Sequence, residues 1–191
     1  MKSIRLIFIT AACHLLMAGG VMSESSDSAY KPRPEYEVKV AFIYNFLRYV
    51  TWPKDQLPDN ETLVVRIAGE FNHCRQLEVL SQKSIGSHKI SVKEMDSSAD
   101  IQKCHVVFIA AGAENLLPDI LSALEGQAVL IISDSDSALG HGAVIAFYVD
   151  GCRIRFKIDR TAADRHGLKI SSKLLRLATI VNSEDDKEPQ R

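Results

Sequence analysis

The sequence predicts an α/β domain: a single, mixed and mostly parallel sheet flanked by helices and ending in an antiparallel hairpin. Three observations predict it. Short apolar runs alternate with helix-like stretches from residue 63 onward. The runs at 106–110 and 128–132 are almost wholly apolar, as in strands buried on both faces. Asp150-Gly151 stands between two strand-like runs, 143–149 and 152–158, the strongest short-range hairpin signal.

The chain opens with Met1-Lys-Ser-Ile-Arg5, an apolar run from Leu6 to Met22, and the polar Ser23-Glu24-Ser25-Ser26. A basic start, an apolar centre and small residues at the exit read as a secretory signal peptide over residues 1–23, cut between Gly20 and Ser26. The competing readings are a membrane anchor and a lipidated Cys13. The run of about 17 residues is at the low limit for a span and is diluted by Cys13, His14 and Gly19-Gly20. Thr10-Ala11-Ala12-Cys13 loosely resembles a lipidation box, but Cys13 sits inside the apolar run and Thr10 is a poor residue there. Secretion places the mature chain where disulfides persist and where ATP and NAD pools are absent.

Residues 24–35, rich in Ser and ending in Lys31-Pro-Arg-Pro34, read as a linker. From Glu35 to Val50 the apolar positions Val40, Ile43, Leu47 and Val50, widened by Phe42, Phe46 and Tyr49, predict a helix buried on more than one side. Pro53 stops it. Strands follow at 63–68, 89–93, 104–110 and 128–133, with helices over 74–83 and 114–124 between them. In the last strand of the hairpin, Ile154, Phe156 and Ile158 alternate with Arg153, Arg155 and Lys157. A helix over 161–166, the break at Gly167 and a final helix from Ser171, capped by Ser171 or Ser172, to about Val181 complete the domain. Residues 182–191 read as a polar, frayed tail.

Bulk properties narrow the function. Hydrophobic content of 46% and charged content of 25% are ordinary for one globular domain, so a packed core is expected. Net charge is −1, and loss of Lys2 and Arg5 with the leader takes it near −3, which argues against a nucleic-acid binder. Cys74, Cys104 and Cys152 remain in the mature chain, an odd count that allows one bridge and leaves one thiol over. There is no C-x-x-C, hence no signal for a redox pair or a zinc ribbon.

No motif supports catalysis. Gly140-His141-Gly142 lacks a third glycine and precedes a strand, so it reads as a turn. Asp134, Asp136 and His141 have metal-ligand chemistry and follow a strand end, but Asp, Ser and Gly are also what a solvent loop uses. No G-x-S-x-G elbow accompanies the histidines. Arg153, Arg155 and Lys157 form a cationic row that either grips an acidic partner or protects a sheet edge. Tyr44, Tyr49 and Trp52 read as core packing at a helix end; the alternative is an exposed Trp52 acting as a binding anchor.

Tyr44-Asn-Phe-Leu-Arg-Tyr-Val-Thr-Trp-Pro53 resembles the opening motif of the YfiR-like family, with Tyr44, Trp52 and Pro53 as its structural residues. The resemblance continues at 63–69, at Cys104-His-Val-Val-Phe-Ile109, at Gly142-Ala-Val-Ile-Ala-Phe147, at Arg153-Ile-Arg-Phe-Lys-Ile-Asp159 and at Leu168 to Ala178. It spans residues 36–181 in order. It implies a non-catalytic periplasmic regulator, without a cofactor, that forms a homodimer. It also implies binding to the periplasmic sensor part of an inner-membrane diguanylate cyclase, holding it inactive and lowering cyclic di-GMP and biofilm formation. The alternative is a periplasmic small-molecule-sensing module, with a pocket near Trp52 or the 134–142 loop.

The resemblance further implies that cysteine redox state tunes binding. The family often carries a cysteine three residues before the glycine of the first strand, where this chain has Arg66. Cys104 keeps its place, so its partner must differ. Cys74–Cys104 is the expected pair, with a bridge to Cys152 or free thiols as alternatives. The objection to Cys74–Cys104 is geometric: parallel strands would put the two cysteines at opposite ends. Asp159 stands where asparagine is expected, and Lys157 where an acid is common.

Overall fold

The computed structural model describes residues 34–70, 74–95, 101 and 104–182. The expected signal peptide, most of the expected linker and nearly all of the expected tail lie outside the described residues. Helix α1 (Pro34–Tyr49) begins one residue before the predicted start, with proline at the first position, where its missing N–H costs nothing. Glu35 and Glu37 in its first turn and Arg48 in its last complement the helix dipole.

Strands β1 (Val50–Thr51) and β2 (Leu63–Ala68) follow, then a 3-10 helix at Arg75–Gln82, β3 (Ser84–Ile85), β4 (His88–Glu94) and β5 (Val106–Ile109). Next come α2 (Leu117–Ala123), entered through a short 3-10 turn, and β6 (Leu130–Ser133). A second 3-10 helix at Asp136–His141 leads to the hairpin β7 (Ile145–Asp150) and β8 (Arg153–Asp159). The chain ends with α3 (Arg160–Arg165), β9 (Lys169–Ile170), α4 (Ser172–Leu175) and β10 (Thr179–Val181). Among the described residues no helix is long and apolar enough to cross a membrane.

Eight strands form one sheet in the order β10-β8-β7-β6-β5-β2-β4-β3. The run from β4 to β7 is parallel, β8 is antiparallel to β7, and β3 is antiparallel to β4. Strands β1 and β9 make a separate antiparallel pair. Because side chains alternate along a strand, the sheet has two apolar faces and two cores. Val65, Val106, Phe108, Leu130 and Ile132 pack with α1 in one. Ala68, Val107, Ile109 and Ile131 pack with α2 in the other. The first is centred on an aromatic group: the Phe46 ring lies 4.8 Å from Phe156, edge-on, and 5.6 Å from Phe147.

Two details differ from the sequence reading. The helix expected from Ser171 to Val181 stops at Leu175, and Thr179-Ile180-Val181 runs parallel to β8 as an edge strand. The β-branched run loses side-chain freedom in a helix and fits the pleat of a sheet. Ser171 does cap the short helix, its hydroxyl accepting from the Lys173 N–H. In the hairpin, Asp150 ends β7 opposite Arg153, so the turn residues are Gly151 and Cys152. Gly151 has φ +60°, while Cys152 is not among the positive-φ residues. Glycine at the first turn position is the type II′ pattern, which matches strand twist.

Candidate functional site

The cationic row lies on one face of β8, where the structure shows Arg153 and Arg155 exposed and Lys157 half-buried. Two of the three cations have partners. Arg155 Nε meets Asp150 at 2.8 Å, and Lys157 Nζ donates to Asp136 at 2.9 Å while lying 5.2 Å from the Tyr148 ring centre. Arg153 has no ion pair among the described residues. Tyr148 extends the face, its hydroxyl 3.1 Å from that of Thr179 on β10. β8 is an edge strand only in part, since β10 pairs with Lys157–Asp159.

On the opposite, α1 side of the sheet, the first two turns of α1 are tied to the carboxyl end of β6. Lys39, 3% exposed, forms ion pairs with Asp134 and, at 2.5 Å, with Glu35. The Tyr36 hydroxyl donates to the second Asp134 oxygen at 2.5 Å. Burial, then the carboxylate, pushes the Tyr36 phenol well above its ordinary range. Asp134 and Asp136, considered above as metal ligands, are thus held by separate lysines. Sequence reasoning missed Lys39 and Tyr36. The signal was there: Lys39 lies four residues before Ile43, on the same stripe of the helix.

Doubly wound sheets bind ligands outside the strand ends where the order reverses, here between β2 and β5. At that point Gly69 has φ +103°, and a Cβ there would come within 2.7 Å of the Ala113 Cβ and 3.1 Å of the Ala110 Cβ. The two loops touch, and the crevice between these residues is shut. A groove of about 360 Å³ remains beside the Lys39 cluster, between Glu35, Asp136, Tyr148 and Val149.

Trp52 is buried, and its indole N–H donates to the His105 carbonyl at 3.1 Å. The carbonyl of Pro53 accepts from the N–H groups of Gln56 and Leu57, both at 3.0 Å, closing the turn after the motif. Tyr44 is half-buried, and its hydroxyl donates to the Ser84 carbonyl at 3.3 Å. His105 is a staple that sequence reasoning did not find. Its Nδ1 accepts from the Val64 N–H at 3.0 Å, and its Nε2 faces the Gln56 carbonyl at 3.1 Å. That pairing requires neutral imidazole with the proton on Nε2. Burial lowers its pKa, and nearby His88 adds to the effect, while the Gln56 carbonyl and Glu61 oppose it.

The model of the YfiR/HmsC-like family matches residues 36–179. The chain belongs to the YfiR/HmsC-like family. The family is, in general terms, one of periplasmic regulators of diguanylate cyclase signalling. Among solved structures, the chain is similar to a conserved domain protein from Vibrio cholerae O1 biovar eltor, with 16% identity and a TM-score of 0.49 over 76% of this chain and 59% of that one. It is also similar to the ABC domain in complex with L-Trp from Streptococcus pneumonia, with 10% identity and a TM-score of 0.47 over 63% of this chain and 55% of that one. It therefore spans less than two thirds of either structure's length.

The cysteines of this YfiR/HmsC-like chain depart from the expected pairing. Cys74, Cys104 and Cys152 are all free thiols, the first two buried and the third exposed. β2 and β5 are parallel, so Cys74, beyond the end of β2, and Cys104, before the start of β5, sit at opposite ends of the sheet. They also lie in different cores, Cys74 on the α1 side and Cys104 on the α2 side. The Cys74–Cys104 bridge is therefore not formed. The first-strand residue whose charge acts on Cys104 is Arg66, at the position where a family cysteine is expected. Burial pushes both thiols up to about 11, with Arg66 opposing the shift at Cys104.

Proposed function

We propose that the mature protein is a periplasmic, non-enzymatic repressor. It binds the periplasmic sensor part of an inner-membrane diguanylate cyclase and holds that enzyme inactive, lowering cyclic di-GMP. The observation that carries this reading is the family match over residues 36–179, and the face of β8, where Arg153, Arg155 and Lys157 stand in one row on the hairpin, is the surface it offers to the partner. Packed elements hold a binding surface more precisely than loops do. The repressor shifts the cyclase only as far as it prefers the inactive state over the active one.

The shut crevice between Gly69 and Ala113 offers no room for a small ligand, while grooves of about 420 Å³ beside Trp52 and about 360 Å³ beside Asp134 and Asp136 support the small-molecule sensor as the second reading. A homodimer is part of the proposal. Redox tuning has no Cys74–Cys104 bridge to act through. The test is capture from detergent-solubilised membranes by the tagged mature chain, with and without reductant. Recovery of a diguanylate cyclase supports the reading, and recovery in one redox state alone supports tuning. An empty capture with correctly folded bait contradicts the proposal.

A further inference from the structure

The neighbours of β8 cover it unequally. β7 pairs along its length, but β10 pairs only with Lys157–Asp159. Among the described residues the outer edge of Arg153–Phe156 has no strand partner. Pairs in an antiparallel ladder alternate between bonded and non-bonded. The two-residue turn makes Asp150 and Arg153 a bonded pair, so Ile154 and Phe156 direct their N–H and C=O groups outward; the Thr179↔Lys157 register gives the Phe156 carbonyl to β10 and leaves the Ile154 groups and the Phe156 N–H open. Such an edge is a template for another strand.

The side chains specify which strand fits. On one face, Ile154 stands opposite Val149, which is 63% exposed, and Leu177, 71% exposed, lies just before β10. On the other face are the exposed Arg153 and Arg155. The apolar and cationic rows are offset by one residue, half the two-residue period of a strand, and so lie on opposite faces. We infer that the open edge of β8 receives an extended segment of the membrane partner, in which acidic side chains facing Arg153 and Arg155 alternate with apolar ones facing Ile154. The inference rests on the proposed repressor role and adds the chemistry of the segment that is bound.

The test uses hydrogen exchange of the mature protein with two probes. One is the periplasmic sensor domain of the captured cyclase. The other is an alternating Glu-Val peptide of about ten residues, compared with a peptide of the same composition carrying its glutamates in one block. We expect the Ile154 and Phe156 amides to exchange freely in the isolated protein and to be protected by the sensor domain and by the alternating peptide. The alternating peptide should bind about tenfold tighter than the block peptide, and Arg153→Glu should remove most of that difference. Ile154→Pro, which deletes an outward N–H, should abolish protection of Phe156 without disturbing the β7 ladder. Sensor binding with both amides still exchanging freely overturns the inference and leaves the repressor role standing. Failure of the sensor domain to bind overturns that role, and the peptides then decide the edge alone. Protection already present in the free protein, constant or rising with concentration, means that the chain itself or a second copy fills the edge, and overturns the inference.

Discussion

Lys39 and Asp134, separated by 95 residues, form an ion pair buried between the second turn of α1 and the end of β6, with side-chain exposures of 4% and 2%. Removing one member strands the other charge in the core. Lys39→Met should therefore cost about 3–5 kcal/mol of stability, and the double replacement Lys39→Met, Asp134→Leu should recover much of it. Urea unfolding of the three proteins measures both effects. Equal losses in the single and double variants would show that the pair does not act as a unit.

Acid should weaken the fold through its histidines. Burial lowers the pKa of His105 and of His166 below the ordinary 6.5, so each binds its proton more readily in the unfolded chain. Their contribution is fully present above pH 6.5 and is lost as pH falls through the folded values. At His105 protonation also destroys the Nδ1 acceptor of the Val64 N–H. The urea midpoint should fall between pH 7 and 5, and less steeply in His105→Gln, which retains an acceptor and a donor without titrating. Identical slopes would remove His105 from the account. In the wild type, an imidazole nitrogen resonance titrating at the ordinary value would do the same.

Thiol chemistry should follow burial. Iodoacetamide should modify Cys152 alone in the native mature protein, and all three cysteines after unfolding. The high pKa values of Cys74 and Cys104 leave little thiolate at neutral pH. A peptide cross-linked through Cys74 and Cys104 in the untreated protein would contradict the two-core arrangement.

The strands were legible because buried parallel strands leave continuous apolar runs, and β2, β5 and β6 fall within two residues of their predicted limits. The hairpin was legible from Asp150-Gly151, though the turn lies one residue later. β10 was not, because Leu174, Leu175, Leu177 and Ala178 carry a helical pattern up to its first residue, and only pairing with β8 decides the state of Thr179-Ile180-Val181. The cationic row was visible from alternation alone, but its ion pairs depend on Asp136 and Asp150, whose positions only the folded chain sets. The His105 staple has no periodic signature, since its partners Gln56 and Val64 come from a loop and a distant strand.

The central claim is tested most directly by cyclic di-GMP synthesis from GTP by the captured cyclase in membrane vesicles, with the mature protein supplied on the periplasmic side. The account predicts saturable inhibition, weakened about tenfold when Arg153 and Arg155 are both replaced by Glu. Unchanged synthesis at a concentration where the two proteins are demonstrably bound would contradict it.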